Sequence, residues 1–299
     1  MTSVPVAALF LTARDRFHAA LKEKVLRLDG GVLSIADKRN KTSKDIAFRI
    51  NRKIGGETRA GEIKSQKAEN EFEVAVAQFI CETFVHLQHL RPGPWRVQKG
   101  GGEPEKPHEA AWKDELAIDL KQPTGIAGPK KHQHLVAIAK AGSENKEPAG
   151  PLGNDYIIKP DILIFRGLAK DEEINRDTTL VDGSVALRSS LRKRNGGPPS
   201  LHASIACKLT IGREVLNLMS NPRGTVHHIF VVTGEPLPSR LPPVALGAGG
   251  IDHIYHFALP ELLQTVKELN LPDSEEALKI MMDAKRLKDI SDLPLDLSV

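Results

Sequence analysis

Apolar residues recur at helical spacing twice in the first third of the chain. Leu9, Leu11, Phe17, Leu21 and Val25 form one stripe, which predicts a helix over 5–29 with Gly30 and Gly31 as its stop. Phe72, Val76, Phe79, Ile80 and Phe84 form a clearer stripe and predict a second helix over 65–90. Beyond residue 150 the pattern shortens to runs of strand length. The run YIIKPDILIF (156–165) predicts a strand, with Pro160 marking its start or a sheet edge. LHASIACKLTI (201–211) predicts a second, buried strand, followed by a short helix over 213–219. HIFVVT (228–233) and 253–257 predict two more strands, separated by a proline-rich loop over 235–243, and the chain from Pro260 onward reads as helical.

Two stretches interrupt this order. Pro92-Gly93-Pro94, Gly100-Gly101-Gly102 and the polar residues after them read as a loop insertion near 92–110. A second polar tract covers 129–153. Without repeats or a linker, the whole of 1–299 reads as a single domain. Helix, strands, helix and strands in this order predict an α/β fold, a central mixed β-sheet flanked by helices.

Composition narrows the function. The chain has 299 residues, 40% of them hydrophobic, enough for a substantial core. A net charge of +4 and a pI near 8.9 permit a polyanionic partner without demanding one. The charge is uneven: residues 38–68 hold ten Lys or Arg against Asp45, Glu57 and Glu62. Such a stretch is either a solvated surface or a footprint for phosphates. The two cysteines, Cys81 and Cys207, lie in apolar runs with no CxxC pair, which argues against a zinc ribbon or a disulfide framework and for a reducing, cytoplasmic setting. Val4 to Leu11 lacks a basic lead-in and is followed by Arg14 and Asp15, so it does not read as a signal peptide, and no run is long enough to cross a membrane. The pairs His132/His134 and His253/His256 have spacings that metals use, but without cysteines they read as incidental. The glycines at 100–102 and 247–250 lack the form of a phosphate-binding loop.

One constellation carries chemistry. Phosphodiester hydrolysis needs a metal on the phosphate, an activated water and positive charge beside the developing oxyanion. Magnesium prefers oxygen ligands, so carboxylates must converge. Asp161 follows Pro160 at the head of one predicted strand, and Lys208 lies on the next. Alternation puts His202, Ser204, Ala206 and Lys208 on one face. A lysine in an apolar strand is costly unless paired, which makes Lys208 the more informative of the two. Two residues before it, where nucleases of this type carry a carboxylate, stands Ala206; Glu214 and Glu73 are the acids available to replace it.

The segments KPDILIF, ACKLT, REVLNL, HIFVVTGEPLPSRL and IDHIYHFALPEL, in this order, cover most of 156–265. Through them the chain resembles the NgoMIV-type restriction endonucleases, the CCGG-cutting group of the PD-(D/E)xK superfamily. That group has PD, a long gap, (S/T)xK and then a glutamate displaced onto the next helix. The resemblance implies a type II restriction endonuclease of a restriction-modification system, dependent on Mg2+ and acting on double-stranded DNA as a homodimer or homotetramer. It implies that Asp161 and Glu214 hold the metal, that Glu73 completes the acidic site and that Lys208 is the catalytic lysine. Arg240, Asp37 and Gln66 would contact the outer bases of the target. Two features depart from the pattern. Ala206 replaces the family's hydroxyl residue, and the loop between Lys208 and Glu214 is too short for the cluster that reads the central CCGG, of which Arg213 alone remains. A degenerate homologue that binds DNA without cutting is therefore the alternative reading.

Overall fold

The computed structural model describes residues 7–100, 117–124, 160–196, 199–212, 227–247 and 250–299. The predicted helix at 213–219, the tract at 129–153 and His132 and His134 lie outside them.

Three helices open the fold: α1 (Leu9–Lys24), α2 (Lys41–Lys53) and α3 (Ser65–Phe84). Asn40 caps α2 by accepting the Ser43 N–H at 2.9 Å, which satisfies a donor the first turn leaves free. The two predicted stripes face each other. Phe17 of α1 meets Phe72 and Phe79 of α3 with ring centroids 6.5 and 5.6 Å apart. Full burial of each such ring contributes roughly 2–3 kcal/mol.

Between the helices runs a small sheet of β1 (Arg27–Asp29), β2 (Val32–Leu33) and β3 (Arg59–Ala60). It corrects the expected helix over 5–29. The helix ends at Lys24, and Gly30 and Gly31, with φ of 54° and 80°, turn the β1–β2 hairpin instead of capping a helix. The second helix ends at Phe84, short of 90, and continues as one 3-10 turn over Val85–Leu87.

The main sheet has seven strands: β4 (Trp95–Gly100), β5 (Ala117–Thr124), β6 (Ile162–Arg166), β7 (Ser200–Lys208), β8 (His228–Thr233), β9 (His253–His256) and β10 (Leu287–Asp289). Their order is β10-β9-β8-β7-β6-β4-β5. The pairs β7–β8, β8–β9, β9–β10 and β4–β5 are parallel, while β4–β6 and β6–β7 are antiparallel, so the sheet is mixed as expected. Helix α3 packs on it at β4 and β7.

Two other expectations need correction. The stretch near 92–110 is not loop throughout, because Trp95–Gly100 is an interior strand between β5 and β6, with Trp95 and Val97 buried. Its flanking Pro-Gly and Gly runs hid a strand only six residues long. Of the expected strand over 156–165, residues 156–159 lie outside the described part, and β6 starts at Ile162, so Pro160 stands just ahead of a strand start, one of its two expected readings. The C-terminal part is two helices, α4 (Leu259–Glu268) and α5 (Pro272–Asp283), then an unexpected edge strand, β10, and a last four-residue helix over Leu293–Asp296.

A buried ion network ties the ends together. Arg14 of α1 donates both to Glu261 of α4 (2.6 and 2.9 Å) and to Asp289 of β10 (2.9 and 3.0 Å). Among the described residues no helix is long and apolar enough to cross a membrane.

Candidate active site

Asp161 sits one residue before β6, where the chain enters the sheet. Its backbone N–H donates to the Ile205 carbonyl at 3.1 Å, and its Oδ2 accepts the Cys207 N–H at 2.7 Å. The side chain is thus pinned to β7 by the sheet's own geometry. Lys208 ends β7, with Nζ 3.4 Å from the same Oδ2. The expected Asp–Lys pairing is present. Asp161 Oδ1 has no hydrogen-bond partner among the described residues.

Helix α3 brings two acids to this end of the sheet, one turn apart on one face. Glu73, buried, pairs its Oε2 with Lys99 Nζ of β4 at 2.9 Å. Both Glu69 oxygens lie 3.3 Å from the Leu209 N–H, just past Lys208. Glu69 was not singled out from the sequence. Its spacing of four from Glu73 was the available signal, but only the docking of α3 on β7 shows which acids turn inward. Lys99 was missed because its strand read as loop.

The electrostatics are those of carboxylates withdrawn from water beside one another. Burial pushes the Glu69 carboxyl up to about 7, and the neighbouring Asp161 and Glu73 charges add to this against the Leu209 N–H and Lys208. Burial likewise raises Glu73, with Lys99 opposing and Asp161 reinforcing the shift. For Lys208, burial disfavours the ammonium, but Asp161 and Glu69 outweigh it and hold the amine above the ordinary lysine value. Lys208 is therefore a fixed positive charge at neutral pH.

A second cluster lies on the loop after β8. Arg240 Nη2 is 2.5 Å from Asp37 Oδ2 and its Nη1 is 3.6 Å from Glu235 Oε2. Asp37, in the turn before α2, also accepts the Arg39 N–H at 3.0 Å. The structure brings these two predicted base-contact residues into one half-exposed pair. Gln66 is exposed on the first turn of α3 and makes no hydrogen bond to either among the described residues. Glu214 and Arg213 lie outside the described residues.

The remaining candidates resolve simply. His256 is buried and uses both ring nitrogens on backbone groups, Nε2 with the Glu235 carbonyl (3.2 Å) and Nδ1 with the Ala258 N–H (3.1 Å). His253 Nδ1 meets the Lys285 carbonyl at 2.9 Å. These rings are engaged in structure. Among the described residues no three His, Cys, Asp or Glu side chains converge closely enough to hold a metal ion.

An aspartate at the head of one strand, hydrogen-bonded to the next, and a lysine closing that next strand beside helix-borne glutamates define the class of the PD-(D/E)xK nucleases. The NgoMIV restriction enzyme family matches residues 17–299. The chain is 43% identical to the type II restriction enzyme NgoMIV of Neisseria gonorrhoeae over 301 aligned residues, 97% of this chain and 99% of that protein. The crystal structure of the Type IIF restriction endonuclease Bse634I with cognate DNA covers 85% of this chain and 91% of its own, at 15% identity and a TM-score of 0.33, a likeness too slight to argue from. The chain belongs to the NgoMIV restriction enzyme family, and with it to the type II, site-specific DNA endonucleases. Restriction endonucleases of this kind are metal-dependent as a class.

Proposed function

We propose that this endonuclease hydrolyses double-stranded DNA in a cytoplasmic restriction system with Mg2+ held by Asp161 and Glu214. The observation that carries the reading is the Asp161–Lys208 pair at 3.4 Å, with Asp161 Oδ1 left unengaged by described protein groups. A hard divalent cation suits an all-oxygen donor set, and it offsets the burial that raises Glu69 and Glu73, to which the neighbouring Asp161 charge adds. When bound, the ion supplies Lewis acidity to the scissile phosphate. Lys208, held charged, orients the attacking water and faces the negative charge that develops on phosphorus-bound oxygen. Glu73, gripped by Lys99, completes the acidic site.

Arg240, Asp37 and Gln66 contact the outer bases of the target, with Arg213 as the remnant of the central reader. An arginine fork suits guanine O6 and N7, and a carboxylate suits cytosine N4, so the Arg240–Asp37 pair fits a G·C pair. With the central cluster missing, the protein shows no strong preference for CCGG. It works as a homodimer or homotetramer.

Ala206 favours one competing reading, DNA binding without cutting, since it places a methyl group where the family has a hydroxyl. Incubating plasmid with the protein, with and without magnesium, separates the two. Linear product that needs magnesium and disappears in Asp161→Ala supports the proposal. Gel retardation without any cleavage overturns it.

A further inference from the structure

Among the described residues, one fully buried acid has no part in the proposed mechanism. Glu235, in the loop leaving β8, is 0% exposed. An acid so placed is costly unless its oxygens are satisfied, so its partners say what it is for. Oε2 accepts the Ile211 N–H at 2.8 Å and Oε1 accepts the Leu237 N–H at 3.0 Å. Arg240 Nη1 lies 3.6 Å from Oε2.

These partners belong to two different machines. Ile211 is three residues beyond Lys208, on the stretch that leads out of the catalytic strand. Leu237 and Arg240 belong to the loop that presents the base-reading pair. The two stretches are already pressed together, because the Gly234 N–H donates to the Lys208 carbonyl at 3.1 Å. A Cβ at Gly234 would come within 3.1 Å of the Leu209 carbonyl oxygen, so only glycine fits there easily. On the opposite side Glu69 holds the Leu209 N–H. The exit of β7 is therefore threaded between two carboxylates, one from α3 and one from the reading loop.

We infer that Glu235 is a positioning residue for sequence recognition: it orients the Arg240 guanidinium against Asp37 and ties that guanidinium to the exit of the catalytic strand. Arg240 donates through Nη2 to Asp37 at the surface and pairs through Nη1 with buried Glu235. Two anionic partners on the two terminal nitrogens of one planar fork restrict its rotation more than one partner alone. The inference rests on the proposed base-reading role of Arg240.

The test measures which duplexes, from a library randomised over the target and its flanks, are retained by the protein in chelator, so that the readout does not depend on cutting. Parent, Glu235→Gln, Arg240→Gln and the double variant are compared. A good arginine–guanine pairing contributes roughly ten- to a hundredfold discrimination. We expect Arg240→Gln to lose that at the outer positions, Glu235→Gln to lose about tenfold at the same positions, and the double variant to be no worse than Arg240→Gln. A merely structural role would lower retention of all sequences alike and leave the positional profile intact. If Arg240→Gln relaxes the outer positions and Glu235→Gln keeps the parent profile, the positioning role is wrong while base reading stands. If Arg240→Gln itself leaves the profile unchanged, base reading fails and the role of Glu235 falls with it. Should Glu235→Gln lack a cooperative melting transition, Glu235→Asp, which keeps the charge but shortens its reach, must show the same positional relaxation; an unchanged profile there rejects the inference.

Discussion

Glu69→Gln should stabilise the metal-free protein, and only at high pH. The parent carboxyl is raised from an ordinary 4.5 to about 7, chiefly by burial. Because its folded value lies above its unfolded one, the favourable contribution of the protonated form is complete below about pH 4.5. It is lost as pH rises through about 7. Moving from 4.5 to about 7 at roughly 1.4 kcal/mol per pH unit sets a ceiling near 3.5 kcal/mol. The carboxylate is only partly withdrawn from water, so solvent screening reduces this to roughly 1–2 kcal/mol. Glutamine keeps an oxygen to accept the Leu209 N–H and adds no bulk. Urea unfolding in chelator at pH 4.0 and pH 8.5 reads the difference. We expect the variant and parent to be alike at the lower pH, with the variant more stable by about 1–2 kcal/mol at the higher one. A variant less stable at pH 8.5, or offset equally at both values, would mean that burial does not hold the Glu69 carboxyl up as described.

Three other outcomes follow from the same geometry. Arg14→Met strands Glu261 and Asp289 in the interior and should cost about 3–5 kcal/mol in chemical denaturation, whereas a loss under 1 kcal/mol would show the network to be solvated. Cys81 and Cys207 are buried, and burial pushes the Cys81 thiol up to about 12, so the native protein at pH 8 should resist a thiol reagent that labels both cysteines in urea. Lys208→Met should lower the rate of supercoiled plasmid cleavage by about a thousandfold while retaining DNA in a gel shift; full-rate cutting would remove the lysine from the chemistry.

Periodicity alone marked α1 and α3 as packed helices and β6, β7, β8 and β9 as strands, because a stripe every third or fourth residue, or an unbroken apolar run, has few ways to be buried. It did not mark β4 or β10. Both are short, and β4 is bracketed by turn residues that dominate any local reading. What makes Trp95–Gly100 an interior strand is the company of β5 and β6 on either side, which a local window does not contain.

The site divides along the same line. Asp161 and Lys208 were legible because each is a charge set beside an apolar strand, a placement that demands a partner. Glu69 and Glu235 were not, since a glutamate on a helix or in a proline-rich loop is ordinary until its surroundings are known. The order of residues determined that an acid and an amine would close adjacent strands. Which further carboxylates are stripped of water and turned onto the Lys208–Ile211 backbone was decided by how α3 and the β8 loop dock there, since burial and the distance between charges are properties of the assembled fold.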